Sequence, residues 1–127
     1  MPPPLPVLVV DDHADTADST ALMLRLHGFA VDCARDGCAA LEAVRRDAPD
    51  VVLLDIGLPG LDGYEVARRL RREPARKRPL LIAVTGYDQP RDRERSREAG
   101  IDLHLAKPVD PDALDAILKR FERALHG

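Results

Sequence analysis

Tryptophan is absent from this sequence, and two tyrosines and two phenylalanines are all it has in their place. A hydrophobic core must therefore be assembled from Leu, Val, Ile and Ala. Cysteine is almost as scarce. Cys33 and Cys38 alone are most simply two reduced, partly buried thiols, and a metal clip would need two further ligands beside them. No apolar run approaches the ~20 residues of a membrane span. The N-terminus lacks a basic stretch and carries Pro2-Pro3-Pro4 where a signal peptide needs an apolar helix. Positive charge is not in excess either. The net charge of −3 argues against nucleic acid or an anionic membrane as partner. These absences point to the cytoplasm. What remains, 127 residues with 45% apolar and 32% charged, is one ordinary globular domain with enough chain for a real core.

The chain divides into alternating strand and helix signals. Met1 to Pro4 is an extended lead-in, and a strand follows over Pro6 to Val10. Asp15 or Thr16 can cap a helix running to His27, with Ala17, Ala21, Met23 and Leu24 inward. Gly28 stops it. Phe29 to Ala34 has the mixed polarity of a strand near a sheet edge. Asp36 or Gly37 opens a second helix with Leu41 and Val44 inward, and Pro49 ends it. Val51-Val52-Leu53-Leu54 is an unbroken aliphatic run bounded by turn signals, as in a strand buried on both faces. It delivers Asp55.

The turn pairs of Gly57 to Gly63 then lead into a helix over Tyr64 to Arg72. After a basic loop comes a strand from Leu80 to Val84. Gln89 to Glu98 has helical composition but no large apolar residue, so it should lie on the surface with low local stability. Ile101 to Leu105 reads as a fifth strand. Pro111 fits the first turn of a last helix, whose stripe of Leu114, Ile117, Leu118, Phe121 and Leu125 is core at helical spacing.

Five strands alternating with helices predict an α/β fold with a parallel sheet covered on both faces. All strand carboxyl ends then gather on one edge, where such folds place their sites. Asp11, Asp12, Asp55, Thr85 and Lys107 each fall at such an end. Three carboxylates meeting there repel one another, and a hard divalent cation relieves this best. Carboxylate oxygens, a backbone carbonyl and waters are what Mg2+ accepts. The chemistry expected is a Mg2+ site with Asp12 and Asp55 as direct ligands and Asp11 acting mostly through water. Asp55 is the candidate nucleophile, since a carboxylate can carry an acyl phosphate. Lys107 supplies an ammonium and Thr85 a hydroxyl for the phosphoryl oxygens.

As an ordered set on successive strand ends, these residues resemble the receiver domain of bacterial response regulators in two-component signalling. The resemblance spans about Leu5 to Leu125. It rests on Val9-Val10-Asp11-Asp12, on Leu53-Leu54-Asp55-Ile56-Gly57-Leu58-Pro59-Gly60-Leu61-Asp62-Gly63, on Val84-Thr85-Gly86 and on Leu105-Ala106-Lys107-Pro108. It implies a flavodoxin-like (βα)5 three-layer sandwich of strand order 2-1-3-4-5, with a cis Lys107-Pro108 bond. It also implies that Asp55 is the phosphoacceptor, charged from the phosphohistidine of a histidine kinase or histidine phosphotransfer domain. Asp11 and Asp12 would be the acidic metal pair, the Gly57 carbonyl a further Mg2+ ligand, and Thr85 and Lys107 the contacts to the phosphoryl group.

The sequence departs from the family at His104, where receivers commonly carry Tyr or Phe three residues before the lysine. The family couples that ring to movement of the threonine. His104 is the candidate for the role here, although it is smaller and titratable near neutral pH; the alternative is an exposed strand-end histidine with no role. The resemblance implies that Gly57 and Tyr87, two residues beyond Asp55 and Thr85, flank the phosphoryl site. The first leaves room for attacking water and the second can shield it. His13 reads as a loop side chain lining the site, and His27 and His126 as helix-end residues favoured by the dipole.

The function expected is a phosphorelay module whose 89–125 face, built on the thinly anchored fourth helix, contacts a downstream protein. No output domain is expected in this sequence beyond residue 125. A stand-alone regulator and a receiver cut from a hybrid sensor kinase or larger regulator both fit, and the Lys107–Leu114 stretch, which looks like receivers at the end of hybrid kinases, mildly favours the second. The alternative is a Mg2+-dependent phosphohydrolase with Asp55 as nucleophile. Such enzymes usually place a second carboxylate two residues on, where this chain has Gly57, and need a cap that no insertion here supplies. A degenerate binding scaffold is the third reading, against which the intact Asp, Thr and Lys set stands.

Overall fold

The computed structural model describes residues 3–58, 60, 62–73, 77–86 and 90–126, the side chains at 90–92 excepted. Five strands and five helices alternate: β1 (Pro6–Val10), α1 (Ala14–Leu26), β2 (Ala30–Ala34), α2 (Gly37–Asp47), β3 (Val51–Asp55), α3 (Gly63–Arg72), β4 (Leu80–Thr85), α4 (Pro90–Glu98), β5 (Leu103–Ala106) and α5 (Pro111–His126). All strand pairs are parallel, in the order β2-β1-β3-β4-β5. This is the expected doubly wound α/β sandwich.

Handedness explains the layers. The chain steps one way from β1 to β2 and the other way through β3, β4 and β5, so right-handed crossovers put α1 on one face and α2 to α4 on the other. The two buried clusters follow this division. Leu8, Val10, Val52, Leu54, Leu81 and Ala83 point to the face of α2 and α3, while Val7, Val9, Val51, Leu53 and Ile82 point to α1 and α5. β3, in the middle, is buried at all five positions, which is why its sequence does not alternate. The reversal of direction falls between β1 and β3, and an open sheet leaves a crevice at the carboxyl ends of such a pair.

Asp36 and Asp62 cap α2 and α3. Their carboxylates accept the backbone N–H groups of Ala39 at 2.8 Å and Glu65 at 2.9 Å, satisfying donors the helices leave unpaired. Gly63 has a different reason. A Cβ there would lie 2.8 Å from the Asp55 carbonyl oxygen and 2.8 Å from Ile56 Cα, so only glycine lets α3 start this close to the end of β3.

Four expectations need correction. α1 begins directly after His13, not behind an Asp15 or Thr16 cap, because Asp11 Oδ1 accepts the His13 N–H at 2.9 Å and turns the chain at once. β5 starts at Leu103, since Ile101 is drawn into the core beside α3 and its N–H bonds Ser96 O at 2.9 Å. Leu125 is 49% exposed; α5 buries Leu114 and Leu118, with Ile117 and Phe121 packed at the margin, and its last turn lies beyond this core. Cys33 and Cys38 are exposed free thiols, one on the edge strand and one in the first turn of α2. The Cys33 Sγ nevertheless lies 3.9 Å from the Ala17 carbonyl oxygen, and partial desolvation there raises the pKa of the thiol. No helix among the described residues is long and apolar enough to cross a membrane.

Candidate functional site

The acidic residues meet at the β1/β3 crevice. Asp11 follows β1 directly, its N–H bonded to Ala34 O at 3.0 Å, and it is buried. Asp55 closes β3 and is 6% exposed. Oxygens of Asp11, Asp12 and Asp55, with a ring nitrogen of His13, all lie within 4.8 Å of one another. The Asp55 carboxylate is held at both ends. Its Oδ1 accepts the Gly57 N–H at 2.9 Å, and its Oδ2 faces the Lys107 ammonium at 3.3 Å.

Lys107 arrives there because β5 pairs with β4 and its own N–H then bonds Thr85 O at 2.7 Å. The Lys107-Pro108 bond is cis. Thr85 is the buried last residue of β4. The five side chains singled out at strand ends thus lie around one rim.

The donor set suits a hard cation. Three carboxylates supply oxygen ligands of the kind Mg2+ takes. Asp12 Oδ1 is buried and accepts no hydrogen bond from a described group, with only the His13 Nδ1 beside it at 3.2 Å, and a cation would satisfy it. His13 is less apt. Its Nδ1 is 3.4 Å from Asp11 and 3.2 Å from Asp12, but its side chain is 71% exposed, and nitrogen is a poor match for Mg2+.

Comparison with known proteins decides the family. Residues 7–119 match the family model of the response regulator receiver domain. The chain is 39% identical over 119 residues to the response regulator MprA of Mycobacterium leprae, covering 94% of this chain and 50% of that protein. This chain belongs to the response regulator receiver family. A CheY-like receiver domain protein from Methanospirillum hungatei superposes with a TM-score of 0.85 at 30% identity, covering 98% of this receiver and 99% of that chain. The signal receiver domain of a histidine kinase from Syntrophus aciditrophicus has a TM-score of 0.82 at 30% identity, covering 91% and 87%. The receiver spans about half the length of MprA.

Beyond the rim, the receiver carries an arrangement that sequence reasoning missed. His104 stands level with Ala83 on the face of α4, diagonal to Thr85, which pairs with Ala106. Its Nδ1 is 3.1 Å from Ser96 Oγ on α4, and its Nε2 is buried without a partner among the described groups. It is half-buried rather than an exposed strand-end residue. Among the described side chains Ser96 is the buried residue of α4, with Ala99 buried just past its end, and Arg95 covers the Tyr64 ring at 4.3 Å. A serine in a charged helix, with an alanine three residues on at its end, was the available signal. Tyr87, Pro59 and Leu61 lie outside the described residues.

Proposed function

We propose that this receiver accepts a phosphoryl group on Asp55 from the phosphohistidine of a histidine kinase or phosphotransfer domain, with Mg2+ held by Asp12, Asp55, the Gly57 carbonyl and, through water, Asp11. The observation that carries this reading is the 3.3 Å approach of Lys107 to Asp55 inside a cluster of three carboxylates. A carboxylate oxygen of Asp55 attacks phosphorus, the P–N bond breaks, and the donor imidazole leaves with the electron pair. Bound Mg2+ would neutralise charge on the transferring oxygens. The Gly57 N–H orients the carboxylate, and Lys107 and the Thr85 hydroxyl meet the phosphoryl oxygens once it has arrived.

The receiver acts as a stoichiometric acceptor rather than a turnover enzyme, because the position two beyond Asp55 is Gly57 and offers no acid or base. Phosphorylation adds ~1.5–2 negative charges, drawing Thr85 toward the phosphoryl group. His104, diagonal to Thr85 and tied to Ser96, passes that shift to α4. The 89–125 face then changes its affinity for a downstream protein. The functional unit is residues 5–125, working in the cytoplasm without nucleic acid or membrane as partner.

Incubation with a small phosphodonor, with and without Mg2+, followed by intact mass, tests the proposal. One metal-dependent phosphoryl adduct, absent from Asp55→Asn, is expected. Rapid multiple turnover of phosphate monoesters would instead mark a phosphohydrolase.

A further inference from the structure

A groove of about 530 Å3 opens beside the acidic cluster, between α1 and the start of α5. Its floor is the sheet, at Val9 and Leu53, and its walls are Met23 on one side and Leu114 on the other. It is open because α1 carries Thr16, Ser19 and Thr20 along this edge, short side chains that do not reach across to α5. One end is not apolar. There the groove meets Asp11 and Asp55, with Lys107 beside them. Asp12 adjoins, so this end carries three carboxylates against one ammonium. The His13 side chain is largely exposed but borders the cluster from the solvent side, its Nδ1 3.4 Å from Asp11 and 3.2 Å from Asp12.

The volume is that of a small-ligand site, and such sites combine apolar walls with a few convergent polar groups. A hydrocarbon floor that ends in excess negative charge is complementary to a cation borne on an apolar chain. An anionic head would meet the carboxylates, and a neutral one would leave them unanswered. We propose that the groove binds a small amphipathic primary amine, its ammonium at Asp11 and Asp55 and its chain along Met23 and Leu114. Because the head shares these carboxylates, amine and divalent cation exclude one another. Only this exclusion rests on the metal reading; the binding does not. An amine held there keeps the receiver from phosphoryl uptake.

Methyl-labelled methionine gives a direct readout, since Met1 and Met23 are the only two methionines. Propylamine through hexylamine are titrated against the Met23 methyl signal. The expected result is a saturable shift at Met23 whose dissociation constant tightens roughly fourfold per methylene. Hexanol should bind about tenfold more weakly than hexylamine for want of the charge-assisted contact. Ser19→Leu, at an exposed helix position, should fill the groove and abolish the shift. Mg2+ should raise the apparent dissociation constant of hexylamine in proportion to its concentration.

No saturable shift at Met23, or equal binding of hexanol and hexylamine, overturns the proposal. Indifference to Mg2+ overturns the exclusion. Phosphoryl uptake measured without amine on the same sample shows separately whether the phosphoacceptor reading stands.

Discussion

Asp55 is buried, yet each of its oxygens has a partner: a backbone N–H on one and the Lys107 ammonium on the other. A buried carboxylate without such partners would be costly. The same lysine, 3.3 Å from Asp55, would border an arriving phosphoryl group. Lys107→Ala should therefore slow phosphoryl uptake from a small donor by about a hundredfold, measured as adduct formed against time by intact mass. Uptake at the parent rate would remove Lys107 from the chemistry. Gly63 works at the same scale by backbone contact alone. Gly63→Ala drives a methyl against the Asp55 carbonyl oxygen and Ile56 Cα, neither of which can rotate away. A loss of about 1–3 kcal/mol is expected, read as a lower urea midpoint at unchanged m value.

That these side chains gather on one rim was legible because each falls at the end of a strand-like run in a parallel α/β pattern. His104–Ser96 was not, because it depends on which face of β5 turns toward α4. Leu125 misled because helical spacing records a stripe but not where the stripe outruns the core. The cysteines misled because sparseness says nothing of exposure.

Among the elements, α4 buries few of its described side chains. Among these Ser96 is buried, followed by Ala99 just past the helix end, and Arg95 lies on Tyr64. Ser96→Ala removes its hydrogen bond to His104, worth about 1 kcal/mol. Amide exchange in α4 should accelerate several-fold in the unphosphorylated protein, while β1 and β3 keep their protection. Unchanged exchange in α4 would show that His104 does not fasten it.

α2 and α3 are joined differently, through Arg45 and Glu73 at their C-terminal ends. The Arg45 hydrogen bond holds the Glu73 carboxyl below its ordinary 4.5. A carboxyl depressed on folding binds fewer protons folded than unfolded, so its stabilisation is full above that value and is lost as pH falls through the folded pKa. Arg45→Gln should narrow the gap between urea midpoints at neutral and acidic pH. The effect is small and salt-sensitive because both side chains reach solvent; a gap as wide as in the parent would contradict the assignment. Most element positions were readable from periodicity and turn residues. The starts of α1 and β5 were not, since an Asp11 hydrogen bond and the burial of Ile101 set them.

At the scale of the whole molecule, strand order does the work. β1 and β3 are neighbours although β2 lies between them in sequence, and this adjacency brings Asp11 and Asp12 to Asp55. β4 and β5 then bring Thr85 and Lys107 to the same rim. Alternating strands and helices indicated a parallel sheet. The order itself came from family resemblance, because strand adjacency is a long-range property that local pattern does not encode. The proposed phosphoryl transfer depends on that convergence producing one reactive carboxylate.

The most direct measurement is to load the receiver with a labelled acyl phosphate in Mg2+ and locate the label by fragmentation. Label on Asp55 alone, lost when the cation is chelated, is the predicted result. Label on another side chain, or uptake that persists without any divalent cation, would contradict the account.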